Sequence, residues 1–239
     1  MSEDRRIAAY AERWRLSTGA EEQLAELVRL VAADQGAPTT VKEPRRILED
    51  HVADSLVALE LTDVDWQGQI ADLGAGAGFP GLPLAIARPA AGVMLVESNT
   101  RKCEFLRAAI RGLGLRNVEV VRERAERWRD GIGACDVVVA RALAALPVVA
   151  EYAAPLLRVG GALVAWRGRR DPLEERAAAI AAAELGLQPQ DPVAVSPYPE
   201  ALHRHLHVMV KVAPTPPRFP RRPGVARKHP LGGRPGTRG

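Results

Sequence analysis

Through the first sixty residues apolar positions fall at helix spacing. Beyond them they gather in short runs separated by polar turns. Leu24, Leu27, Val28 and Val31 recur every three or four positions, so residues 20–33 are expected to form an amphipathic helix, with another over residues 3–15. Gly36-Ala37-Pro38 breaks the pattern. A third helix is expected over residues 44–60, with Pro44 in its first turn and Ile47, Val52, Leu56 and Leu59 on its apolar face. Residues 1–64 thus read as a helical cap.

After the cap, strands are expected at 70–73, 93–96, 118–121, 136–140, 162–166, 193–195 and 205–212. Helices are expected near 80–87, 102–113, 146–157 and 173–185. Strand and helix alternating at this spacing give an α/β, doubly wound, mostly parallel sheet. The last two strands are separated by a short link containing Ser196-Pro197-Tyr198-Pro199-Glu200, which is too short for a parallel crossover, so the last strand should be antiparallel. The expected architecture for residues 65–213 is a seven-stranded sheet of the Rossmann-like methyltransferase type. An antiparallel last strand argues against a plain dinucleotide-binding domain.

Composition narrows the class. At 239 residues and 47% apolar content the chain suits one globular α/β domain with additions. The apolar region around residues 137–157 is broken by Arg141 and Glu151, and Met1–Tyr10 has no apolar signal core, so cytoplasm and no membrane are the expectation. Cys103 and Cys135 form no disulfide framework and no metal site. The net charge of +4 hides a division: residues 214–239 hold seven Lys/Arg, no acids and seven of the 19 prolines. Such a segment is expected to be extended and mobile, either a solubilising end or an arm that meets phosphates.

Candidate chemistry clusters at the ends of the expected strands. The run IADLGAGAGFPGLPL, residues 70–84, places Gly74, Gly76 and Gly78 directly after a strand. It matches both the GxGxxG dinucleotide pattern and the GxGxG pattern of S-adenosylmethionine sites, since glycines let the backbone pass close under a ligand. Asp72 is placed to orient the loop or to meet the methionine ammonium. Glu97, after the second strand, is placed to accept the ribose hydroxyls of an adenosine. Ala125-Glu126, after the third, can read the adenine edge. Arg141 follows the fourth strand, where this fold places acceptor chemistry. It can be part of the site or a structural ion pair. No [DNS]-P-P-[FY] turn stands there, and Cys135 is at the wrong end of its strand to act as a nucleophile. These absences point to an acceptor that needs no activation, such as guanine N7.

Several segments resemble the ribosomal RNA small subunit methyltransferase G family, also called glucose-inhibited division protein B. They are VKEPRRILEDHVADSLVAL at 41–59, DLGAGAGFPGLPLAI from Asp72, LVESNTRKCEFLR at 95–107, VVARALAAL at 138–146 and FPRRPGVARKHPL at 219–231. The resemblance implies S-adenosylmethionine as cofactor, with contacts at Gly74, Phe79, Ala125, Glu126 and Arg141. It also implies methyl transfer to N7 of a guanosine in the 530 loop of 16S ribosomal RNA. No residue is expected to act as general acid or base, and the protein is expected to act as a monomer on the small subunit. Two rivals are a nicotinamide oxidoreductase and a non-enzymatic RNA-binding protein. The tail is expected to meet RNA and to leave the cofactor to the strand ends.

Overall fold

The computed structural model describes residues 2–233. The end of the tail, 234–239, lies outside them. Helices α1 (Glu3–Arg13) and α2 (Ala20–Ala33) match the expected spans to within two residues. The expected third helix is one continuous rod of changing pitch: α3 (Pro44–Ile47), a π-helical stretch Leu48–Ala53, α4 (Asp54–Leu56) and a 3-10 turn Val57–Glu60. Glu43 caps it, its carboxylate accepting from Arg45 N at 2.9 Å and Arg46 N at 2.8 Å, with Pro44 at the first position. Ile47 and Val52, both fully buried, are five positions apart. A five-residue step keeps them on one face only where the helix widens, and that is the π segment.

The strands are β1 (Gln69–Leu73), β2 (Gly92–Val96), β3 (Val118–Val121), β4 (Cys135–Arg141), β5 (Leu157–Arg167), β6 (Leu187–Pro189), β7 (Val193–Val195) and β8 (Arg204–Lys211). Their order is β3-β2-β1-β4-β5-β8-β6, with β7 also paired to β8. The sheet is parallel from β3 to β5, and β8 runs antiparallel to β5, as the short link to β7 requires. The sheet has eight strands where seven were expected. β6 is three residues ending in Pro189, too short for any periodicity to register, and it shares the outer edge of β8 with β7. Strand order reverses between β1 and β4, so a ligand crevice is expected at their carboxyl ends.

The helices α5 (Gly81–Ala87), α6 (Thr100–Leu113), α7 (Leu146–Ala153) and α8 (Pro172–Leu185) complete the alternation. Asn99 caps α6 through Lys102 N at 3.2 Å, and Asp171 caps α8 through Leu173 N at 2.9 Å. Alternate residues of each strand face opposite layers. Ile70, Val93, Leu95, Val139 and Val164 pack with Leu24, Leu27, Ile47, Val52 and Leu56, so the N-terminal helices and one sheet face share a single core. Ala71, Leu73, Val138, Leu163 and Met209 pack on the other face with α7 and α8.

The tail departs from expectation. Residues 214–233 do not extend into solvent but run back over α8 and α7. Phe219 and Ala226 are buried in the second core layer, and a last turn, α9 (Val225–Lys228), packs beside α7. Arg218 Nη2 pairs with Glu184 at 2.8 Å. Arg221 grips Glu151, which is 1% exposed, through both carboxylate oxygens, with Nε 2.6 Å from Oε1. Charge and proline content point to an extended, mobile segment; the buried carboxylate on α7 and the pocket for Phe219 give it a place to dock. Arg221→Ala strands the Glu151 carboxylate in the interior and should cost about 3–5 kcal/mol. Replacing both partners with Leu should recover most of that loss, and denaturant unfolding of the two variants measures it.

Candidate active site

The glycine loop is pinned before it reaches any ligand. Gly74 N and Ala75 N both donate to Val96 O, at 2.8 and 3.2 Å, fixing the turn to the end of β2. Gly74 and Gly78 hold φ of +72° and +89°, which strongly favours glycine. A Cβ on Gly78 would strike Leu82, and one on Gly81 would strike Leu95 and Asp72, so these two glycines serve the close approach of α5 to the sheet. Gly76 faces open space, with only Gly74 O within reach at 3.6 Å.

Around this loop lies a cleft of about 520 Å³, lined by Gly74, Glu97, Lys102, Ala125, Glu126, Leu143, Tyr152 and Arg227 among others. The buried Glu97 carboxylate accepts from Gly76 N at 3.2 Å and Asn99 N at 2.8 Å, one bond to each oxygen. Each oxygen keeps a lone pair for a diol. Glu126 is also buried and accepts from Gly224 N at 3.2 Å. Four of the expected site residues, Gly74, Glu97, Ala125 and Glu126, therefore line one cleft. Lys102, Tyr152 and Arg227 join them with no signal in the sequence, because they come from α6, α7 and the tail.

The other expected residues lie beneath the loop or beyond it. Asp72 Oδ2 accepts from Gly81 N at 2.8 Å, the loop-orienting role. Its Oδ1 is buried without a partner among the described residues, and burial pushes this carboxyl up to about 7. Gly76 and Gly78 shape the loop. Phe79 is turned away from the cleft and stacks on His51, with ring centroids 4.7 Å apart. Arg141 points the same way. Its Nη1 donates to Asp54 Oδ2 at 2.9 Å and to Asp50 O at 3.1 Å, and its guanidinium lies 5.6 Å from the Phe79 ring centre. The side chains of Phe79 and Arg141 thus join the loop to the π-helical rod, where the resemblance implied cofactor contacts.

Arg141 also borders a second pocket of about 410 Å³, with Asp50, His51, Asp54, Ala142, Trp166, Arg167 and Arg204. Ala142 borders both pockets. It is one of three non-glycine residues with positive φ among the described residues, at +53°, so the chain is held in an unfavourable conformation where the pockets meet. Trp166 donates from Nε1 to Asp54 O at 2.6 Å and is 6% exposed, which makes it a packing residue of the pocket wall. His51 Nδ1 lies 3.3 Å from Arg141 Nη2. The same nitrogen lies 3.1 Å from Asp50 O, and Nε2 lies 2.8 Å from Thr39 Oγ1, so both ring nitrogens are engaged by protein groups. Burial, then Arg141, lower the His51 pKa to about 4. Burial raises the Cys135 thiol to about 12, at the far end of β4. Another hollow, about 560 Å³ around Val64, Ala162 and Val208, lies at the opposite ends of the strands, away from the loop.

The family model described as rRNA small subunit methyltransferase G matches residues 21–202. The chain belongs to this family. A ribosomal RNA small subunit methyltransferase G from Rubrobacter xylanophilus is 43% identical over 198 residues, 80% of this chain and 76% of that one. The same-named protein of Deinococcus deserti is 44% identical over 196 residues, 81% of this chain and 80% of that one. Two solved structures share the fold. One is a SAM-dependent methyltransferase from Aquifex aeolicus, with TM-score 0.52, 18% identity and coverage of 69% of this chain and 93% of that one. The other is geranyl diphosphate methyltransferase in complex with SAM, with TM-score 0.54, 18% identity and coverage of 77% and 95%.

S-adenosylmethionine is the cofactor of this methyltransferase family member, and the residues present fit it. The buried Glu97 carboxylate has acceptor capacity to spare for a diol, and the cleft volume suits a nucleoside-sized ligand. Glu97→Ala should weaken S-adenosylhomocysteine binding by about 1.5–3 kcal/mol, read by isothermal titration. His51 supplies a pH prediction. The folded side chain stays neutral down to about pH 4, whereas the unfolded one takes a proton near 6.5. The unfolded chain therefore binds more protons in that window, and stability falls as pH drops through it, by about 3 kcal/mol for this group. A melting series across pH 6.5–4 should show a smaller drop for His51→Asn than for the unaltered protein.

Proposed function

We propose that this enzyme transfers the methyl group of S-adenosylmethionine to N7 of a guanosine in the 530 loop of 16S ribosomal RNA, acting as a monomer in the cytoplasm. The observation that carries this reading is the meeting of two pockets at Ala142, on the carboxyl ends of β1 and β4. One has the acceptors an adenosine needs. The other is edged by Arg141, Arg167 and Arg204, donors suited to a nucleotide with its flanking phosphates.

The bound cofactor supplies an electrophilic methyl group on a sulfonium. A carbon–nitrogen bond forms at N7 as the carbon–sulfur bond breaks and its electron pair stays on sulfur. N7 carries no proton, so no base is needed. His51 supports that account, because both of its ring nitrogens are engaged within the protein, Nδ1 by Arg141 and Asp50 O and Nε2 by Thr39. Catalysis then rests on alignment, worth up to roughly 7–11 kcal/mol in favourable cases. Within paired A-form RNA guanine N7 lies in a groove that side chains do not enter, so the target base must leave its stack.

Asp54 holds the acceptor pocket in shape, pairing with Arg141 at 2.9 Å and Arg204 at 3.2 Å. Asp54→Asn should lower the rate of methyl transfer by about 10²-fold through misplacement while leaving S-adenosylhomocysteine affinity unchanged. Methyl incorporation into small subunits and titration calorimetry separate the two effects. Mapping modified bases in 16S RNA with and without the protein tests the N7 assignment. Loss of any signal other than N7-methylguanosine in that loop would overturn it.

A further inference from the structure

The tail lies outside the residues matched by the family model, which end at 202. It nevertheless reaches the cofactor cleft twice. Gly224 N donates to Glu126 Oε1 at 3.2 Å, so the tail's backbone holds one oxygen of the carboxylate placed at the adenine edge. Three residues on, Arg227 lines the cleft itself, and its Nη2 is tethered to Leu143 O at 3.0 Å. Tyr152 sits between them. Burial and Glu126 raise its hydroxyl pKa while Arg227 lowers it, which places all three side chains in one cluster. This arrangement is anchored from behind by the Arg221–Glu151 pair and by buried Phe219 and Ala226.

We propose that the turn at residues 224–228 is the outer wall of the cofactor cleft at its adenosine end: Arg227 contacts the bound nucleoside, and Gly224 sets the Glu126 carboxylate that reads its base. The proposal rests on the assignment of Ala125-Glu126 as the adenine end. A purine presents a flat π face, and a tethered guanidinium is a planar cation suited to stack on it. Cofactor and tail are then coupled. The expectation that the tail serves RNA alone is replaced by one in which its cations divide their work: Arg218 and Arg221 hold protein carboxylates, and Arg227 faces the cofactor.

Titration calorimetry with S-adenosylhomocysteine on the full chain tests this. Arg227→Ala should weaken binding by roughly three- to thirtyfold, and Arg227→Lys should restore part of it. Arg222→Ala, an exposed position in the same tail, should bind normally, and the melting temperature of ligand-free Arg227→Ala should match the parent. In the unaltered protein, saturating S-adenosylhomocysteine should slow trypsin cleavage after Arg227. Normal binding by Arg227→Ala overturns the proposal if Glu126→Ala still weakens binding. If both variants bind normally, the adenine assignment falls with it. Equal losses in Arg227→Ala and Arg222→Ala with lowered melting temperatures would reduce the tail to a stabilising strap. Unchanged cleavage on adding ligand also overturns the proposal.

Discussion

The Arg141 guanidinium meets groups from separate segments of the chain: Asp54 and the Asp50 carbonyl on the helical rod, the His51 ring beside them, and Phe79 at the end of the glycine loop. Its own backbone ends β4. Removing it would leave Asp54, 5% exposed, with Arg204 as its remaining ion-pair partner among the described residues. A buried charge that loses a partner is strongly destabilising, so the rod, the loop and the strand end hold their mutual positions largely through this one cation. The pocket beside Arg141 and the cleft around the glycine loop then meet at one wall, at Ala142.

That shared wall explains where the chain tolerates unfavourable local structure. The rod widens to π-helix at Leu48–Ala53, the stretch that supplies His51 and leads directly to Asp54. Ala142 is held at φ +53° at the junction of the two pockets. Such conformations persist where surrounding contacts over-determine them. For a reaction that needs alignment and no proton transfer, rigidity at this junction is the useful property.

The tail shows how charge read without contacts misleads. A block of seven cations free of acids suggests a solvated arm for phosphates. Two of those cations instead find carboxylates on α7 and α8, one of them almost wholly buried, and a third faces the cleft. Each cation held by a carboxylate is one fewer available to neutralise phosphate, and the docked segment becomes part of the protein's interior layer.

Much of this protein is legible in its sequence. Period-two and period-3.6 patterns gave the strand and helix order, the short link after Val195 required an antiparallel last strand, and the placement of Gly74, Glu97 and Ala125-Glu126 after successive strands marked one ligand cleft. These follow from local rules: side chains alternate along strands, and parallel strands end on the same side of a sheet. What needed the tertiary structure involved pairings across long stretches of sequence. Arg141 and Asp54, Arg221 and Glu151, and Gly224 and Glu126 are 87, 70 and 98 residues apart. No local pattern specifies which carboxylate a given arginine will meet, because that depends on how the layers stack. Periodicity and the glycine loop thus set the strand order and the end of the sheet that carries the cleft, while the stacking of the layers turns Arg141 toward Asp54 and brings the tail to the cleft.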